Sequence, residues 1–89
     1  MRKRNKEIAI DIGIAWAEDL FKDFSENPEY RGPHFTWKCF PEIAANLAEA
    51  NCFMSFSYKT RNFEALKSLC REAAYKKAKE LCRGIDSVS

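Results

Sequence analysis

The segment from Phe63 to Gly84 constrains the fold more than any other part of the chain. Phe63, Leu66, Cys70, Ala73, Ala74 and Leu81 recur at steps of three, four and seven, which places them on one face of a helix. Thr60 or Asn62 suits its N-terminal cap, with Glu64 in the first turn. Gly84 stands where a glycine ends a helix, and Lys79 and Arg83 lie at the negative end of its dipole. A helix this long, apolar along one stripe, has to bury that stripe against other elements.

Those elements come from the preceding residues. Over residues 5–26, Ile8, Ile10, Ile12, Ile14 and Trp16 alternate as in a strand. Glu7, Asp11, Glu18, Lys22 and Ser25, however, draw one polar stripe on a helix, opposite Ile10, Trp16, Ala17, Leu20, Phe21 and Phe24. The longer pattern decides for a helix. Gly13 inside it costs about 1 kcal/mol relative to Ala, and so marks either a close contact or a weak point. Asn27-Pro28 and Gly32-Pro33 bound a loop. Phe35, Trp37 and Cys39 then alternate with His34, Thr36 and Lys38, predicting a strand over 34–40. Pro41 opens a short helix carrying Ile43, Ala44, Leu47 and Ala48. Cys52, Met54, Phe56 and Tyr58 alternate with Ser55 and Ser57, predicting a second strand over 52–59.

The expected fold class is therefore α+β. Two long helices flank a short helix and a small two-stranded sheet, in the order α-β-α-β-α. The alternative is an all-α three-helix bundle in which 37–57 is helical. Two strands make a poor sheet, so it must pack on the long helices or borrow strands from a second copy, a homo-oligomer. With 89 residues the chain has room for one domain, 1–89, with residues 1–5 as a basic N-terminal arm and 86–89 as a flexible tail. Seven Phe, three Tyr and two Trp supply the core that so short a chain needs.

Charge is segregated along the chain. Arg2, Lys3, Arg4 and Lys6 make the start basic, and Glu7 to Glu29 hold seven acids against Lys22. From Arg61 to Arg83 seven bases outnumber Glu64, Glu72 and Glu80, although the formal net charge is only +2. The plain reading is that the acidic first helix and the basic last one neutralise each other. A sharper one starts from a single face of the first helix, where Ile8, Ile12 and Ala15 give way to Asp19, Asp23 and Glu26. With Tyr30, Trp37 and Phe40 nearby, those carboxylates form a candidate surface for a basic partner protein, because acidic clusters steer and aromatics anchor.

Catalytic and metal chemistry find little footing. Cys39, Cys52, Cys70 and Cys82 form no CxxC pair, and His34 is the one histidine. His34 and Cys39 fall on opposite faces of the expected strand, which leaves a thiol nucleophile without its base. No glycine-rich phosphate loop or nucleophile elbow is present. Asp11 breaks the apolar run that a secretory leader would need, and no 20-residue apolar stretch crosses a membrane, so a cytoplasmic protein with reduced thiols is expected. No catalytic residue, cofactor or metal is assigned. The expectation is a small non-catalytic binding protein acting by protein–protein contact, such as a modulator or inhibitor of a larger cellular machine. The alternative is a nucleic-acid-binding regulator using Arg2, Lys3, Arg4, Lys76, Lys79 and Arg83, whose cations would neutralise phosphates.

Overall fold

Three helices make up most of the described backbone. They are α1 (Asn5–Glu26), α2 (Phe40–Asn51) and α3 (Phe63–Asp86), with a 3-10 turn at Pro28–Tyr30 after α1. The computed structural model describes residues 4–52, 56 and 59–86. The outer parts of the expected basic arm and tail, and most of the expected second strand, lie outside these residues.

The helices pack through small residues spaced four apart. α1 buries Ala9, Gly13 and Ala17. α2 buries Phe40, Ala44 and Ala48, with Pro41 and Ala45 beside them. α3 buries Leu66, Cys70, Ala74, Ala78 and Cys82. Rows at this spacing are the ridges that interdigitate when helices pack closely. Ala9, Leu66, Cys70 and Ala74 share one core cluster with Ala48 and Cys52. Ala17, Ala78 and Cys82 share a second with Phe40 and Ala44. α1 and α3 therefore run parallel, and α2 returns antiparallel between them.

Gly13 is a close contact. A Cβ there would collide with the carbonyl oxygen of Cys70 and lie 3.0 Å from both the Ala73 Cβ and the Ala74 nitrogen. The side-chain-free position lets the two backbones approach, which repays the helix penalty of glycine.

The α+β expectation is overturned, because the described residues contain no strand; the all-α bundle holds instead, with a shorter middle helix than 37–57. Residues 34–39 form successive tight turns, in which Phe35 N donates to the Gly32 carbonyl and Cys39 N to that of Thr36, both at 3.1 Å. Phe35 and Trp37 are strand-forming types because they fit half-buried surfaces, and here the turns already deliver them to one. Cys52 is helical (φ −59°, ψ −37°) at the end of α2. Phe56 N donates to its carbonyl at 3.1 Å, a bond along the chain rather than one across a sheet.

Two details of α3 also differ. The helix runs through Gly84 to Asp86, so that glycine does not stop it. Leu81 is only half-buried while Cys82 is buried, because a four-residue ridge drifts round the helix and ends on a different face from the one Leu81 occupies. At the start of α3, Asn62 adopts φ 62°, a left-handed conformation that Asn tolerates better than most residues.

Candidate functional site

The loop from Asn27 to Cys39 folds over the end of the bundle where α1 stops. Phe35 and Trp37 from the loop meet Phe21 and Phe24 of α1 and Phe40 of α2, with neighbouring ring centroids 5.1 to 5.9 Å apart. Most of these pairs are edge-to-face, the arrangement that the ring quadrupole favours. Arg31 fixes the loop. Its Nε donates to the Phe24 carbonyl at 2.8 Å, and its guanidinium lies 5.5 Å from the centroid of Trp37.

Trp37 is only half-buried. Its outer side opens onto a groove of about 710 Å³ between the start of α2 and the second half of α3, which Tyr75, Lys76, Lys79 and Arg83 also line. Lys38 and Pro41 complete the α2 side, and Glu80 is the one acid in the lining. Lys79 Nζ lies 5.6 Å from the Tyr75 ring, which is itself exposed. Lys38, Lys76 and Arg83 are exposed and have no ion pair among the described residues. The groove thus presents unneutralised cations beside two aromatic surfaces, a combination suited to carboxylates or phosphates carried on an apolar frame.

Neutralisation happens elsewhere on α3. Arg71 Nη1 lies 2.9 Å from Glu49 and also donates to the Asn46 side chain, clamping α2 to α3. Lys77 reaches Glu18 of α1 at 3.7 Å. That is the only ion pair between α1 and α3 among the described residues, so the expected mutual neutralisation of the two helices is confined to it.

Asp19, Asp23 and Glu26 are exposed and unpaired among the described residues. They stand on the flank of α1 that carries Ile8 and Ile12, which are partly buried against the core. Asp19 borders a shallow depression with Ile12, Ala15 and Trp16. Asp23 and Glu26 occupy the last turn of α1, where the helix dipole disfavours negative charge by about 0.3–1 kcal/mol per residue. Tyr30 is 58% exposed on the 3-10 turn. The depression at Asp19 and the groove at Trp37 share no residue.

The structure therefore regroups the sequence candidates. Trp37, expected beside the acids, lines a groove with Lys76, Lys79 and Arg83, the cations of the nucleic-acid alternative. Arg4 is exposed just before α1, and Arg2 and Lys3 lie outside the described residues. Lys38 and Tyr75 were missed. Tyr75 was legible in principle, because it precedes Lys79 by four residues and so shares its face.

Of the thiols only Cys82 touches the groove, at its buried floor, and Cys52 and Cys70 belong to the interior. Cys52 and Cys70 are buried side by side in hydrogen-bonding contact, and Cys70 Sγ also donates to the Ala48 carbonyl at 3.5 Å. Burial first, and then the neighbouring Cys52, push the Cys70 thiol up to about 12, while burial also raises Cys52. At neutral pH both are packing groups rather than nucleophiles. Cys39 Sγ is turned to the Thr36 carbonyl at 2.9 Å, and His34 is exposed.

Among the described residues no three His, Cys, Asp or Glu side chains converge as metal ligands, and no helix is long and apolar enough to cross a membrane. Comparison with protein families, curated proteins and solved structures finds no match for this chain.

Proposed function

We propose that this chain is a small non-catalytic cytoplasmic binding protein that acts by protein–protein contact, and that the groove at Trp37 is where it takes an acidic surface of its partner. The observation that carries this reading is the convergence of Lys38, Lys76, Lys79 and Arg83 around Trp37 and Tyr75, with no ion pair for Lys38, Lys76 or Arg83 among the described residues. Aromatic and cationic side chains together give a binding surface both an apolar anchor and a steering field. A partner bound there could be held or blocked, which is how a protein of this size modulates or inhibits a larger one.

A second reading uses the same cations for nucleic-acid phosphates, with Arg4 and the residues before it as a further contact. Glu80 in the groove and the acids of α1 weigh against it, because phosphate-tracking surfaces are predominantly basic.

Trp37 supplies the readout. In a Trp16→Phe background its emission reports the groove alone, since the chain has two tryptophans. Poly-L-glutamate should shift that emission saturably, and a random-sequence DNA duplex should do so more weakly. A steep salt-dependent response to the duplex with none to poly-L-glutamate would replace the first reading with the second.

A further inference from the structure

We infer that the groove of one copy seats the acidic flank of α1 from a second copy, so that Asp19, Asp23 and Glu26 face Lys38, Lys76, Lys79 and Arg83 across a reciprocal dimer. The inference rests on the reading of the groove as a seat for acidic protein surface, and it names that surface.

Charge complementarity is the first argument. The groove offers four cations against Glu80. The flank of α1 offers three carboxylates, all exposed and unpaired among the described residues. No ion pair joins the two sets within one chain among the described residues, because the carboxylates stand on α1 and Lys76, Lys79 and Arg83 on α3, helices whose orientation is locked by the core. A formal net charge of +2 leaves little long-range repulsion between copies.

The topology supplies the second argument. α1 and α3 run parallel, so the acidic end of α1 and the basic end of α3 lie at the same end of the bundle, on surfaces that share no lining residue. A two-fold axis beside that end brings the acids of each copy to the cations of the other at once. One symmetric interface then contains two equivalent contacts, the isologous arrangement of most dimers. It also gives a purpose to carboxylates that the dipole of α1 disfavours, since cations of a partner can offset both terms.

Sedimentation equilibrium of the full reduced chain at low salt tests this directly. The expected result is a reversible monomer–dimer equilibrium whose dissociation constant rises at least about tenfold at high salt, as screening requires. Lys76→Glu with Lys79→Glu should be monomeric, because both of its surfaces are then acidic. Asp19→Lys with Asp23→Lys should be monomeric for the opposite reason. An equimolar mixture of the two variants should recover a heterodimer, since both contacts are again attractive. If a reversed variant loses its helical circular dichroism, the Gln and Asn versions of the same pairs should be folded and should weaken the dimer. A monomer at every concentration at low salt would overturn the inference, as would a salt-insensitive dimer that survives both reversals. A monomer whose Trp37 emission still responds to poly-L-glutamate would defeat self-association alone. A monomer that does not respond would defeat the groove reading as well.

Discussion

The two ends of the bundle are packed differently. At one end, Gly13 lets the α1 and α3 backbones touch, and Ala9, Ala48, Cys52, Cys70 and Ala74 pack closely beside it, with Leu66 and Phe56 filling the rest of the cluster. At the other, five rings from α1, the loop and α2 fill a wider space, and the loop closes over it. The small-residue end fixes the separation of α1 and α3 and tolerates little added volume. The aromatic end is adaptable in volume, and one of its rings, Trp37, is left partly open. A surface meant to meet another molecule is better placed at the second end, where a helix–helix contact does not already claim the side chains.

This contrast can be broken from either side. Phe40 is fully buried and meets Phe21, Phe24 and Trp37, so Phe40→Ala should cost about 3–5 kcal/mol in chemical denaturation. At the other end Leu66 is 3% exposed, and Leu66→Ala should cost about 2–5 kcal/mol. A melting temperature unchanged by the second substitution would show that the α3 ridge is misassigned.

Gly13→Ala sharpens the comparison, because two effects of opposite sign compete. On an open helix the change stabilises by about 1 kcal/mol. Here the new Cβ meets backbone of α3, and backbone cannot swing aside as a flexible side chain can. Overpacking should win by about 1–3 kcal/mol, lowering the denaturation midpoint. A rise in the midpoint would mean that the helices are not in close contact at this point.

A smaller effect follows from the thiols. An unfolded Cys70 ionises near 9.0, whereas the buried one holds its proton to about 12. The unfolded chain therefore loses the proton first. The stability that this provides is complete below pH 9 and falls as pH rises from 9 toward 12, by about 1.4 kcal/mol per unit for this one thiol. Denaturation of wild type and Cys70→Ala across that window should show a shallower fall in the variant. Parallel curves would place the Cys70 thiol in contact with water.

Much of the helical framework was legible in the residues, and the connections were not. α1 declared itself through a polar stripe that runs from Glu7 to Ser25, about five turns, and α3 through Phe63, Leu66 and Cys70. Gly13 was recognisable as a contact or a flaw, and geometry alone decided between them. Ala78 and Cys82 escaped notice because small residues carry little hydropathy and their four-residue step drifts away from Leu81. Phe35, Trp37 and Cys39 were misread as one face of a strand. Alternation records which side chains are wanted inside, and a chain of tight turns meets that demand as well as a strand does. The groove was hidden for a different reason. Trp37 and Tyr75 are far apart in sequence, and only the antiparallel return of α2 brings them together.

The central claim is that the cations around Trp37 serve binding and not folding. The most direct measurement compares Lys76→Glu with Lys79→Glu against wild type, both carrying Trp16→Phe, by thermal melting and by Trp37 emission during titration with poly-L-glutamate. Both lysines are exposed, and no ion pair holds either of them among the described residues. The account predicts a change in stability of about 0.5 kcal/mol or less, together with loss of the emission response. An unaltered response in a folded variant would contradict it, and so would a collapse of stability, which would make these lysines part of the bundle's own construction.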